Sequence, residues 1–192
     1  MKPVPILFLL LLLSSCATSV TPPPSNLNDA CAIKAERPQW YNAMLATQKK
    51  WDVPIAVQMA TIYQESKFKG QARTPLEFKL NVIPMGRNSS AYGYSQAIDS
   101  TWKWYKRETR NASAKRDNFE DAVDFMGWYM DQSTQKLGIS KTSARKQYLA
   151  YHDGHAGYRR GTYRRKGWLM RISKEVQARA EMYSEQLQSC SG

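Results

Sequence analysis

Residues 54–68 read PIAVQMATIYQESKF, and this stretch has the period of a helix that buries one face. Apolar residues recur at intervals of three and four, which is the spacing of one helical face. Pro54 is suited to the start of a helix, and Gly70 marks the region where the helix ends. The residues predicted on the buried face are Ile55, Met59, Ile62, Tyr63 and Ser66.

The chain on either side of this helix has the same kind of pattern, with one interruption. We predict further helices over residues 37–51, 95–110, 117–137, 142–151 and 167–188. Residues 71–92 contain Pro75, Pro84 and Gly86, which favour a short hairpin or an irregular lobe. The sequence therefore predicts a mainly α fold with one small lobe of another kind.

Composition limits the possible partners. The chain has 192 residues, of which 42% are hydrophobic, and this is typical of one globular domain and excludes a disordered chain. Its 28 Lys and Arg residues against 16 Asp and Glu residues give a formal charge of +12. We expect so basic a chain to work on a polyanion or near an anionic surface.

The N-terminus has the features of an export signal. Lys2 precedes an apolar run over residues 6–13, which is too short to span a bilayer but suits the core of a secretory signal. We therefore predict that residues 1–15 are a signal peptide. The alternative is a short buried helix at the start of the domain.

The signal is followed by a short motif and a linker. Residues 13–16 read LSSC and resemble the lipobox of bacterial lipoproteins, which implies acyl chains on Cys16 that anchor the mature chain to a membrane. Residues 16–30 are rich in Ser, Thr and Pro and predict an extended spacer before a domain over 31–192. Ala17, in place of an aspartate, favours the outer membrane over the inner one, with the protein facing the periplasm.

Two cysteines remain if Cys16 is acylated. Cys31 and Cys190 lie near the two ends of the predicted domain, and an even number of cysteines in an oxidising compartment is typical of a disulfide. The alternative is two independent thiols, because the sequence does not show whether their Cα atoms approach each other.

Glu65 is the candidate for acid–base chemistry. It lies about 60° around the helix from Ile62, at the edge of the apolar face, since successive residues turn by about 100°. Apolar neighbours and the partial negative charge of a helix C-terminus both raise the pKa of a carboxyl group. Glu65 is therefore a candidate general acid, and a solvated surface carboxylate is the alternative.

Four short segments follow one another in a defined order. They are QESKF at 64–68, AYGYSQ at 91–96, DNF at 117–119 and LAYHDG at 149–154. In this order they resemble the lytic transglycosylases of the soluble-transglycosylase, goose-lysozyme-like superfamily, over about residues 50–160. The chain departs from the family motifs at Tyr94 and Ser95, where the family has Leu-Met, and at His152, where it has Asn. The segment between the first two motifs is also longer than usual.

This resemblance implies a lysozyme-like fold and a reaction. Glu65 protonates the glycosidic oxygen between N-acetylmuramic acid and N-acetylglucosamine in peptidoglycan glycan strands, and the 2-acetamido group assists. Glu65 then takes the proton of the C6 hydroxyl, whose oxygen closes a 1,6-anhydro ring. No metal ion and no other cofactor is implied.

The resemblance also implies supporting residues. Tyr151 matches the family tyrosine and is expected to hydrogen-bond Glu65 or a sugar N-acetyl group. Gln96 offers a donor and an acceptor to a sugar or to the backbone. Ser66 either positions Glu65 or bonds back to its own helix. The other candidate substrate-binding residues are Tyr92 and Tyr94, expected to stack on sugar rings, and Ser95 beside them. The alternative for the two tyrosines is that they fill the smaller lobe.

Two other functions remain open. A hydrolytic muramidase needs a second carboxylate, and Asp99 and Asp153 are the acids within or beside the later motifs. A non-catalytic peptidoglycan-binding lipoprotein would keep the cleft without the chemistry.

Two further features of the sequence, a pair of histidines and a basic segment, indicate no chemistry beyond that of Glu65. His152 and His155 have no clear third partner for a metal site, so residues 152–155 are predicted to form a turn. Residues 158–168 interleave Arg with Tyr and Trp as nucleic-acid-binding proteins do, but export excludes nucleic acid as a partner. The expected anions are peptidoglycan carboxylates or membrane phosphates, with a solvated loop as the alternative. A cell-envelope or secretion complex is a further candidate partner.

Overall fold

The computed structural model describes residues 21–79 and 83–190. Helices dominate this part of the chain, and a single two-stranded antiparallel hairpin lies inside residues 71–92, where a short hairpin or an irregular lobe was predicted. The mainly α fold is therefore confirmed. In chain order the elements are α1 (Ala30–Glu36), α2 (Pro38–Trp51), α3 (Ile55–Ser66), β1 (Leu76–Lys79), β2 (Ile83–Arg87), α4 (Asp99–Thr109), α5 (Phe119–Leu137), α6 (Ala144–Arg160), a 3₁₀ turn (Thr162–Arg165) and α7 (Gly167–Ser189).

Helix α3 lies at the centre of the domain. It packs along α7 and also contacts α2, α5 and α6. Every residue from Ile55 to Ile62 is buried, so the helix is enclosed on all sides along most of its length. Glu65 stands in the last turn of this buried helix, where the chain approaches the surface.

Local signals explain where several helices begin and end. The Asn118 side chain accepts a hydrogen bond from the backbone N–H of Asp121 at 3.0 Å and caps α5. Gly138 ends the same helix in the left-handed conformation, with φ of 66°. Pro38 begins α2, as predicted.

An aromatic cluster holds the end of α3 in place. The ring of Trp40 stacks on Phe119 with centroids 4.3 Å apart and on Phe68 with centroids 6.2 Å apart. Phe68 is completely buried. Since Phe68 follows Glu65 by three residues, this cluster fixes the direction in which the chain leaves the helix.

The second half of the predicted spacer is part of the folded domain. The backbone carbonyl of Pro22 accepts a hydrogen bond from Arg37 at 3.1 Å, and that of Leu27 accepts one from the Tyr183 hydroxyl. Asp29 caps α1, a helix that the sequence analysis did not predict. The spacer prediction is therefore wrong for residues 21–30, because partners distant in the sequence satisfy their backbone groups.

The observed extent of helix α6 contradicts a second prediction. Residues 152–155 lie within α6 rather than in a turn, although Gly154 has φ of 73° and ψ of 158° and kinks the helix there. Helix α4 begins at Asp99 instead of Ser95, because the preceding residues form turns and an isolated bridge.

The predictions for the N-terminus lie outside the described residues. These are the signal peptide over 1–15 and the acylated Cys16. Within residues 21–79 and 83–190, no helix combines the length and the apolar character needed to cross a bilayer.

Candidate active site

An open cleft of about 510 Å³ runs past the end of α3. Its walls come from the 89–98 segment, from α4 and α5, and from α6. Glu65, Gln96 and Tyr151 all line it. The fold therefore brings together three of the residues that the sequence analysis selected, although they come from three different parts of the chain.

Burial sets the protonation of Glu65. Its Oε1 is inaccessible to solvent and has no hydrogen-bond partner within the part of the chain that the structure describes. Loss of hydration disfavours the charged form, and this raises the pKa of Glu65 from its ordinary value of 4.5 to about 7. A carboxyl group with this pKa is substantially protonated at neutral pH, so it has a proton to give.

Tyr148 is a neighbour of Glu65 that the sequence analysis did not select. A hydrogen bond from its side chain to Glu65 stabilises the carboxylate and partly offsets the effect of burial on the pKa of Glu65. Burial raises the pKa of the Tyr148 phenol well above its ordinary value, so it remains a donor. The available signal was its spacing, since Tyr148 precedes Tyr151 by three residues and so shares a face of α6.

Tyr151 has a different direct partner from the expected one. Its hydroxyl donates to the backbone carbonyl of Ser95 at 2.6 Å, which joins α6 to the 89–98 segment. Burial and then the nearby Glu65 carboxylate raise the pKa of Tyr151 well above its ordinary value. The neutral ring forms part of the cleft wall beside Glu65.

Two residues in the left-handed conformation follow Glu65. Lys67 has φ of 52° and Phe68 has φ of 59°, values that are uncommon for residues other than glycine. The aromatic cluster around Phe68 supplies the packing that maintains this geometry. Gln96 also has a positive φ, of 50°, and its amide nitrogen donates to the carbonyls of Ala72 and Gly93.

The remaining predicted site residues lie outside the cleft wall. Ser66 bonds back to the Ile62 carbonyl at 3.3 Å, which was the second of its two expected roles. Tyr94 is only 3% exposed, and its ring packs against Trp40 rather than being open for stacking on a sugar. Ser95 is fully buried.

Tyr92 borders a neighbouring pocket. Its hydroxyl donates to Asp117 at 2.9 Å, and the Arg73 guanidinium lies 4.3 Å from its ring centroid. The Tyr92 ring therefore already contacts a cation.

The two other acids expected to matter are both engaged with cations. Asp153 lines the cleft, but it accepts a hydrogen bond from Thr162 and forms an ion pair with Lys166, and its side chain is only 3% exposed. Asp99 pairs with Arg116 at 2.8 Å and does not line the cleft. The carboxylate of Asp153 is not among the groups that shift the pKa of Glu65.

The histidines are packed side chains in this structure. His155 stacks on Tyr129 with ring centroids 4.4 Å apart and bonds Ser133 at 2.9 Å, and burial lowers its pKa to about 4. His152 packs edge-on against Trp168. The described residues contain no group of three or more His, Cys, Asp or Glu side chains arranged to hold a metal ion.

A substitution at Gly93 tests how tightly the loop beside the cleft is packed. A Cβ at this position would lie 2.0 Å from the backbone oxygen of Arg116, and φ is 81°. We expect Gly93→Ala to lower the free energy of unfolding by about 3 kcal/mol, through overpacking together with the cost of a positive φ. Denaturant unfolding measures the change.

The matched control is Gly138→Ala. That glycine has φ of 66°, but a Cβ there meets nothing within 4 Å. It isolates the conformational cost, about 1 kcal/mol. Equal losses in the two variants would show that the close approach to Arg116 does not matter.

Comparison with models of protein families matches the chain to a family. A family model described as Transglycosylase SLT domain matches residues 4–190, which is nearly the whole chain. No curated protein matches the chain. Together with the helical structure, the match confirms the lysozyme-like class expected from the motifs.

Proposed function

The chain belongs to the transglycosylase SLT domain family, a family of enzymes that act on peptidoglycan, and from this premise we propose that it is a lytic transglycosylase. The proposed reaction cleaves the β-1,4 bond between N-acetylmuramic acid and N-acetylglucosamine and leaves a 1,6-anhydro end. One observation carries this proposal. A carboxyl group with a pKa of about 7 lines an open cleft and retains an unpartnered oxygen among the described residues.

Glu65 acts twice in the proposed mechanism. It first gives its proton to the glycosidic oxygen, so the bond to the anomeric carbon breaks and the N-acetylglucosamine leaves as an alcohol. The resulting carboxylate then takes the proton of the C6 hydroxyl, and that oxygen bonds to the anomeric carbon. The substrate's own acetamido group stabilises the anomeric centre between these events. Glu65 ends the cycle protonated, so no water is consumed.

Tyr148 is the proposed positioning residue for this cycle. Its hydrogen bond favours the carboxylate form of Glu65, which exists between the two proton transfers. Burial favours the protonated form, which is needed at the start. The balance between these two effects keeps the pKa of Glu65 close to neutral pH, where both transfers proceed.

A hydrolytic reaction is less well supported. It requires a second carboxylate that acts as a nucleophile or activates water. Asp153 lines the cleft, but Lys166 and Thr162 already bind its oxygens. We therefore assign the whole acid–base cycle to Glu65.

We expect a plot of the logarithm of the rate against pH to bend at about pH 7, the pKa of Glu65. Above this pH the rate should fall about tenfold per pH unit, because the carboxyl group has lost the proton that it gives. Tyr148→Phe removes the hydrogen bond that lowers this pKa, so the bend moves to higher pH. Losing a hydrogen bond to a charged group also slows the reaction by about tenfold. Rates on purified sacculi across a pH series measure both effects.

Tyr41→Phe, on α2, is the control for this series. It removes a phenol hydroxyl outside the cleft and should leave the bend in place. A bend that stays at the same pH in Tyr148→Phe, or a wild-type rate that rises above pH 7, would contradict the assignment.

The products distinguish the candidate functions. Purified sacculi are digested with the full chain, and the released fragments are identified by mass spectrometry. The proposed reaction gives 1,6-anhydro ends, whereas a muramidase gives reducing ends. Binding without release would instead support the non-catalytic alternative.

We also propose that Cys16 carries the lipid anchor and that the enzyme faces the periplasm from the outer membrane. The LSSC motif at 13–16 and Ala17 support this assignment. Membrane fractionation of the wild type and of Cys16→Ala tests it. The variant should leave the outer-membrane fraction, and an unchanged distribution would contradict the proposal.

A further inference from the structure

A smaller pocket opens directly beside the catalytic cleft. Its volume is about 220 Å³, and it shares Ser89 and Ala91 with the cleft wall, so the two spaces adjoin. Three arginines, Arg73, Arg87 and Arg116, line this second pocket together with Tyr92. We refer to it as the arginine pocket.

One of the three arginines is structural. The Arg116 guanidinium pairs with Asp99 at 2.8 Å and donates to the backbone carbonyls of Ser90 and Ala97 at 2.9 and 2.8 Å. These contacts use most of its donors and hold the pocket wall to the turn that precedes α4. They also neutralise Asp99, a carboxylate that lines the pocket.

The other two arginines retain more binding capacity. Arg73 lies over the ring of Tyr92, and Arg87 donates to the Thr74 carbonyl. Neither forms an ion pair with an acid among the side chains that the structure describes. Both are exposed, so their guanidinium groups present several N–H donors to the pocket.

The chemistry of the pocket indicates an anionic ligand with planar acceptor oxygens. Guanidinium groups bind carboxylates through pairs of parallel hydrogen bonds, and a ring beneath Arg73 keeps its plane oriented. A neutral sugar offers no charge to match. The substrate that occupies the cleft does carry carboxylates, on the peptide stems attached to its muramic acid residues.

We propose that the arginine pocket binds a carboxylate of the peptide stem, so that the enzyme prefers glycan strands that carry stems. This inference rests on the proposed function, because it needs a muramic acid residue in the cleft beside the pocket. Arg73 is the main ligand and Arg87 the second. Their role is to select substrate, and neither takes part in proton transfer.

The test compares intact sacculi with strands from which an amidase has removed the peptide stems. Because this hydrolysis leaves a carboxylate on the lactyl group of each muramic acid, these new carboxylates are converted to neutral methylamides before the comparison. We expect the wild type to cleave intact strands about tenfold faster, which corresponds to one charge-assisted hydrogen bond. Arg73→Gln should lower the rate on intact strands until the ratio between the two substrates is close to one. Arg87→Gln should change the ratio in the same direction.

The control is Arg107→Gln. This exposed arginine on α4 pairs with Glu108 and should leave the ratio unchanged. Thermal unfolding of each variant checks that the fold is retained. A second readout uses Glu65→Gln, which should bind a soluble stem-bearing disaccharide more tightly than the same compound with its carboxylates amidated.

The outcomes separate the two claims. Equal wild-type rates on both substrates, or an unchanged ratio in Arg73→Gln, would overturn the arginine-pocket inference and leave the proposed function intact. No cleavage of either substrate by the wild type would overturn the proposed function itself.

Discussion

Replacing Glu65 by Gln is expected to lower the rate of glycan release by about a thousandfold or more, because a general acid or base contributes about 10²- to 10⁴-fold and one carboxyl supplies both functions here. Gln has almost the same size, but its amide does not give a proton to the glycosidic oxygen or accept one from the C6 hydroxyl. The measurement is the release of soluble fragments from purified sacculi, normalised to the amount of enzyme bound.

The same variant is expected to lower activity but to raise stability above about pH 7. The folded wild type keeps the Glu65 proton up to about pH 7, whereas the unfolded chain loses it near 4.5. The folded state therefore binds more protons between these values, and wild-type stability falls as the pH rises through them, by up to about 3 kcal/mol. Glu65→Gln lacks this loss. Above pH 7 it should unfold at a higher denaturant concentration than the wild type.

Glu185→Gln is the matched control for both measurements. It makes the same chemical change at an exposed position on α7. Release and stability should both stay at the wild-type level. Substantial release by Glu65→Gln, with Glu185→Gln unchanged, would show that another group performs the chemistry.

The disulfide between Cys31 and Cys190 is the second feature with a large expected effect. It joins α1 to the end of α7 across 159 residues of sequence, with Cα atoms 5.7 Å apart. Closing so long a loop restricts the unfolded chain, and the chain-entropy relation gives about 5 kcal/mol of stabilisation. We expect the double variant Cys31→Ala, Cys190→Ala to lose most of this free energy in denaturant unfolding.

Reductant provides the control for the disulfide. Adding it should destabilise the wild type to the level of the double variant and should leave the double variant unchanged. The contacts that remain between the two ends include hydrogen bonds from the Ala30 N–H to Gln186 at 2.8 Å and from Lys34 to the Cys190 carbonyl at 3.2 Å. If the double variant unfolds at the wild-type midpoint, these contacts suffice and the bond adds nothing.

Much of the fold was predictable because its signals are local. Pro38 at the start of α2, the Asn118 cap and Gly138 at the end of α5 each act within a few residues. The burial of Ile55, Met59 and Ile62 follows from the spacing of the apolar residues of α3, although the structure encloses the other faces of this helix as well. The hairpin was located within 71–92, since prolines and glycines interrupt the helical period there.

The docked segment at residues 21–29 could not be predicted in this way. Its backbone is held by Arg37, Arg179, Tyr183 and Gln186, most of which lie about 150 residues away in the sequence. Local composition indicated a spacer because a segment rich in proline has no apolar face of its own. The continuation of α6 beyond Gly154 was missed for a related reason, since it depends on the contacts of α6 with α3, α5 and α7, which a local pattern does not show.

The same difference between local signals and long-range contacts applies to the candidate site. The position of Glu65 on the edge of an apolar helix face was visible in the sequence, and the motifs located Gln96 and Tyr151. Tyr94 and Ser95 share a motif with Gln96, but the turn directs them into the core. Which residue of a turn faces a cleft depends on the backbone conformation, and a sequence pattern does not specify it.

In the proposed reaction the glycosidic bond breaks without water. Digesting purified sacculi in oxygen-isotope-labelled water and weighing the new ends by mass spectrometry tests this directly. We predict ends that are one water lighter than a reducing sugar and carry no label, and almost no new ends with Glu65→Gln. Labelled reducing ends from the wild type would contradict the account, because water and not the C6 hydroxyl would then have attacked the anomeric carbon.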